Sequence, residues 1–88
     1  MIFDFFSTDE ISSILVENFI YSLCSINEKY ILVGKNNGEL DVIDFNKKSI
    51  VKKYQAHENF VGGIEKFKTQ NSQEYIITYS DNEIKVWK

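Results

Sequence analysis

The strongest constraint on this chain is that its pattern is written twice. ENFIYSLCSI, residues 17–26, lines up with ENFVGGIEKF, residues 58–67: Asn18 and Asn59, Leu23 and Ile64, and Ile26 and Phe67 each stand 41 residues apart. Further on, YILVG matches YIITY at a spacing of 45, and ELDVID matches EIKVWK at 44, so Leu40, Val42 and Ile43 correspond to Ile84, Val86 and Trp87. The spacing changes at only two places, the polar stretch KTQNSQE and the turn where SDN stands in place of KNNG. A structural repeat gains and loses residues in its turns, where the backbone is solvated and tolerant.

Within each unit the signal is that of short strands. The first predicts strands near 19–26, 29–34, 39–45 and 49–55, rich in Ile, Val, Phe and Tyr and punctuated by INEK, NNG and NKK. The second predicts them at 60–67, 74–79 and 83–88. Strands recurring every eight to twelve residues or so indicate antiparallel meanders rather than strands alternating with helices. STDEISSILV, residues 7–16, has a capped-helix look, but its match to KKSIVKKYQA predicts an outer strand. The expected class is all-β.

Size and charge narrow the possibilities. At 88 residues there is room for one small domain. Hydrophobic residues make up 43% and charged residues 26%, which argues against disorder. Net charge is −3 and every cation apart from the N-terminus is a lysine, so the basic stripe that a nucleic-acid surface needs is reduced to Lys47, Lys48, Lys52 and Lys53, expected on solvent-facing outer strands. Cys24 is alone, so it cannot close an intramolecular disulfide and reads as a small strand side chain. No apolar run reaches the roughly 20 residues of a membrane span, and MIFDFFSTDE lacks the basic start of a secretory signal. A cytoplasmic setting, or a nuclear one, is expected.

AHENFVGGIEKF followed by YIITYSDNEIKVWK resembles the WD-repeat family, whose units run about 40–45 residues as four strands of a propeller blade and carry Gly-His near one end and Trp-Asp near the other. Here Ala56-His57 stands for the first pair and Trp87-Lys88 for the second, with Asp81 six residues before Trp87. The resemblance implies an incomplete propeller of about two blades. Residues 1–17 would be the end of a preceding repeat with an outer strand, 18–58 a degenerate repeat, and 59–88 a repeat ending at the tryptophan strand. It further implies a hydrogen-bonded tetrad of His57, Thr78, Asp81 and Trp87, and partner contacts at Phe60 and Ser80 and at Phe19 and Asn36.

The chemistry of such a tetrad stands without the family. A buried indole N–H needs an acceptor, which a strand hydroxyl supplies; the hydroxyl donates to imidazole, whose other nitrogen donates to a carboxylate. In the first unit the corresponding residues are Val16, Val33, Asn37 and Ile43, three aliphatic and one polar turn residue. Replacing all buried partners together by apolar groups is close to neutral, whereas stranding one is costly.

No reactive constellation competes with this. His57 is the only histidine and Cys24 lies in the other unit, so neither a metal set nor a nucleophile pair is indicated, and no cofactor is implied. Asp81 with Glu83, and Glu39 with Asp41, are paired carboxylates expected to be solvated. Gly62-Gly63 lacks the Lys-Ser or Lys-Thr of a phosphate loop. The expectation is a non-catalytic scaffold for protein–protein contacts, not binding nucleic acid or membrane. The alternative is part of a propeller-containing enzyme whose active site lies outside this chain. Two blades cannot close a ring, so the partners expected are other proteins or further blades, and the isolated chain should self-associate.

Overall fold

The computed structural model describes residues 12–88. Seven antiparallel strands form two sheets with no helix among these residues: β1 Ile20–Ser25, β2 Tyr30–Lys35, β3 Glu39–Asp44 and β4 Ser49–Gln55 pair in chain order, and β5 Gly63–Lys68, β6 Glu74–Tyr79 and β7 Ile84–Trp87 do the same. Among the described residues no helix is long and apolar enough to cross a membrane. Each β-turn comes from residues with side chains suited to it. Asn27 Oδ1 accepts the backbone N–H groups of Lys29 and Tyr30 between β1 and β2, and Asp44 Oδ1 accepts those of Asn46 and Lys47 between β3 and β4.

Register decides what each sheet can bury. Cys24, Leu32 and Val42 stand in one cross-strand row, and Leu23, Val33 and Asp41 in the next, so the two sets point to opposite faces. Leu32 and Leu40 meet the second sheet in a core completed by Ala56, Val61 and Ile64, with Ile76 and Trp87 packed against it. The approach between sheets runs through β1 and β5. The other face of the first sheet is buried as well, at Val33, Ile43, Lys35 and Asp41.

The connection from β4 to β5 is pinned to the first sheet. Backbone N–H groups of Ala56 and His57 donate to the Gly38 carbonyl (3.0 and 3.1 Å), and that of Val61 to the Lys35 carbonyl (2.9 Å). Gly38 has φ 87°, and a Cβ there would collide with the carbonyl oxygens of His57 and Asn59, so the β2–β3 turn requires glycine for both reasons. Ser22 Oγ donates to the Val61 carbonyl at 2.8 Å, a further tie across the sheets.

Three expectations are corrected. Of the outer strand at 7–16, residues 7–11 lie outside the described residues and 12–16 form no strand. Leu15 is almost fully exposed and Ile14 and Val16 only half-buried, so little offsets the entropy of ordering the segment as a ladder. The strand expected from 60 begins at Gly63 instead, because Val61 spends its N–H group on Lys35 of the first sheet. Of the four lysines, Lys52 and Lys53 are exposed on β4, while Lys47 and Lys48 sit in the β3–β4 turn.

Candidate functional site

His57 is held by its backbone on the first sheet and reaches with its ring into the second. The ring is 2% exposed as a residue, and both nitrogens have partners: Nε2 lies 2.9 Å from Thr78 Oγ1 and Nδ1 2.8 Å from Glu83 Oε1. Thr78, on β6, also accepts the indole N–H of Trp87 from β7 at 2.9 Å. An indole nitrogen can only donate, so the Thr78 hydroxyl accepts there and sends its own proton to Nε2. The imidazole proton is thereby placed on Nδ1, facing the Glu83 carboxylate. Four side chains from the β4–β5 connection, β6, the β6–β7 turn and β7 thus form one directed chain.

Asp81 is not its acidic member. The turn closes with the Ser80 N–H on the Glu83 carbonyl (2.9 Å), and Asp81 Oδ1 accepts the Asn82 N–H (3.0 Å) while Oδ2 receives the Asn59 amide (3.3 Å). Both oxygens of its short side chain are thus engaged, one within the turn and one by the β4–β5 connection. Glu83, two residues on and one methylene longer, reaches the ring instead. A signal for this was in the repeat itself, since Glu83 occupies the place of Glu39 in the first unit.

Glu39 also holds a cation, in a cluster that the alternation of the strand concealed. Lys35 Nζ lies 2.8 Å from Glu39 Oε1 and 3.0 Å from Asp41 Oδ2, and the Lys35 and Asp41 side chains are fully buried. Asp41 was expected to be solvated; it is not, because both faces of the first sheet are covered. The contacts are charge to charge rather than aligned hydrogen bonds, as neither Lys35 Nζ nor the Asp41 oxygens meet hydrogen-bond geometry. Burial works against the Lys35 ammonium, but its close approach to the Glu39 and Asp41 carboxylates outweighs that and holds its pKa above the ordinary lysine value. Lys35, followed by the Asn37 contact, holds the Glu39 carboxyl below its ordinary value. At the far end of β3, the Lys47 N–H lowers Asp44 against the cost of its burial.

The four expected partner contacts lie around the same end. Phe19 is exposed and its carbonyl accepts the Asn36 N–H at 2.9 Å. Phe60 is half-buried, its ring tilted against Tyr21 with centroids 5.5 Å apart. Ser80 lines a polar cleft with His57, Asn59, Asp81 and Glu83. Cys24 is a half-buried side chain of β1. Among the described residues, no three His, Cys, Asp or Glu side chains are grouped to hold a metal ion.

No protein-family model matches the chain, and no curated protein or solved structure matches it either.

Proposed function

We propose that this chain is a pair of WD-type propeller blades that serves as a non-catalytic scaffold for protein–protein contact. The observation that carries the reading is the chain from Trp87 through Thr78 and His57 to a turn carboxylate, in a sheet that follows a meander of the same strand order. The Thr78 hydroxyl is fully buried beside a nearly buried His57 and already accepts the Trp87 indole N–H, so the hydroxyl–imidazole pair has no room to receive a substrate. What remains for function is the loop end, where Phe19, Asn36, Phe60 and Ser80 are carried on the segments that flank and connect the strands.

The test compares proteins cross-linked to the chain in its own cells with those cross-linked to a Phe19→Ala/Phe60→Ala variant and to Lys52→Ala on β4. A defined set of partners lost from the loop variant and kept by the β4 control supports the scaffold. An unchanged set, or a turnover by the purified chain that His57→Ala removes without lowering its melting temperature, overturns it.

A further inference from the structure

Backbone contact between the two sheets is made by β1 and β2 against β5, and none of β3, β4, β6 and β7 takes part in it. The sheets therefore splay apart toward their outer edges, β4 and β7. The wedge between them is a cleft of about 240 Å³, floored by Leu32, Leu40, Val42 and Ile76, with Tyr54 from β4 and Trp87 from β7 as its outer walls. An apolar cavity of about 150 Å³ already holds a benzene ring. This one has room for a bicyclic aromatic body.

The rim has the opposite character. Lys52 Nζ lies 5.6 Å from the Tyr54 ring centroid, and Lys85 Nζ 5.8 Å from that of Trp87. Lys66 Nζ donates at 2.8 Å to the carbonyl of Ile26, a further residue of the cleft. Lys35 is neutralised inside the fold by Glu39 and Asp41, but among the described residues no carboxylate forms an ion pair with Lys52, Lys66 or Lys85. None of the described residues lining the cleft is acidic. Lys85 also borders the polar cleft beside Glu83, so Lys52 and Lys66 are the cations left most completely to a ligand. An apolar slot with cations converging on its rim matches a ligand that is apolar at one end and anionic at the other.

We propose that this cleft binds a small aromatic acid, with its fused rings between Tyr54 and Trp87 over the Leu40 and Ile76 floor and its carboxylate among Lys52, Lys66 and Lys85. A nucleotide does not fit the same chemistry, because an aliphatic floor offers the base no hydrogen-bond partner and strands its ring nitrogens. The site is separate from the loop end: Phe19, Asn36, Phe60 and Ser80 are not among the residues that line it, and the inference does not depend on the scaffold reading.

The test titrates the full chain with naphthoate while the indole signal of Trp87, the single tryptophan, is followed in a ¹⁵N spectrum. A saturable shift is expected. Naphthylmethanol, the neutral analogue with the same rings, should bind about tenfold more weakly for want of charge-assisted contacts, and naphthylmethylammonium more weakly still. Lys52→Glu/Lys85→Glu should weaken naphthoate and leave the alcohol unchanged. Tyr54→Ala, at a position 44% exposed, should weaken both. If circular dichroism shows that a variant has lost its sheets, the ranking of the three ligands on the wild type decides alone. A wild type without a saturable shift, a ranking in which charge makes no difference, or tighter binding of adenosine monophosphate overturns the proposal. So does a folded charge-reversal variant that binds naphthoate like the wild type. Partners cross-linked in cells play no part in this readout, so the scaffold and the cleft can each fail while the other stands.

Discussion

Glu39 and Glu83 occupy the same place in the two units, at the end of the turn into the third strand, and each captures a nitrogen: Glu39 the ammonium of Lys35, Glu83 the imidazole of His57. The surroundings then diverge. In the first sheet the captured charge is buried together with Asp41 beside aliphatic Val33 and Ile43; in the second, the polar chain passes through Thr78 to Trp87 at the positions of those same two aliphatic residues. One strand pattern thus supports two ways of filling a face, an ion cluster at the turn with packing beyond it, or a directed hydrogen-bond chain running from turn to outer strand. The first depends on charge balance, the second on geometry.

Breaking the charge balance should have the largest effect. Lys35→Met leaves the buried Asp41 carboxylate with only Lys53, 3.9 Å away, and is expected to cost about 3–5 kcal/mol in urea denaturation, the range for orphaning a buried charge. Lys35→Met/Asp41→Leu should recover most of that loss. A single variant as stable as the wild type would show that the cluster is not held by charge.

Breaking the geometry should cost less. Thr78→Val keeps shape but removes the atom that both accepts from Trp87 and donates to His57, and about 1–3 kcal/mol should be lost on the same measure. Thr78→Ser should retain more than half of it. If valine is tolerated as the first unit tolerates Val33, the hydrogen-bond chain is incidental to stability and packing alone holds both sheets.

Titration probes the charges of the first sheet more finely. Glu39 and Asp44 have folded pKa values below their unfolded ones, so the stability they add is full above the ordinary carboxylate range and is lost as pH falls through the lowered values. Lys35 is raised, so its contribution is full below its ordinary pKa of 10.5 and is lost as pH rises through the higher folded value. Melting temperature should therefore fall at the acid end and at the alkaline end. In Lys35→Met/Asp41→Leu the alkaline fall should disappear, while a persisting one would place its origin outside this cluster.

Strand positions were legible because alternation and turn residues act locally: Asn27, Gly38 and Asp44 fix their turns through bonds to the next few residues, and any reader of the sequence has those in view. Burial of the Lys35 and Asp41 side chains was not legible. A strand's period tells which residues share a face but not whether that face is covered, and here both faces are. Segment 12–16 misled for a related reason, since its likeness to a later stretch carried no information about what it would bury. His57, Thr78 and Trp87 were named together by the resemblance to the WD motif and not by the repeat, whose first unit has Val16, Val33 and Ile43 at those positions. The acidic member was misassigned because a turn one residue shorter changes which carboxylate points outward and which is consumed within.

That last distinction gives the smallest and sharpest comparison. Glu83 is half exposed, and solvent screening limits its bond to His57 to about 0.2–1 kcal/mol, so stability alone separates Glu83→Ala poorly from Asp81→Ala, which loosens a turn by a similar amount. The imidazole nitrogens discriminate where energy does not. With the proton on Nδ1 and Glu83 as its acceptor, Glu83→Ala should shift the His57 Nδ1 resonance in a ¹⁵N spectrum and leave the Trp87 indole signal nearly in place, while Asp81→Ala should move neither. The opposite pattern would return the acidic role to Asp81 and make the β6–β7 turn open further in solution than its Ser80 to Glu83 closure permits.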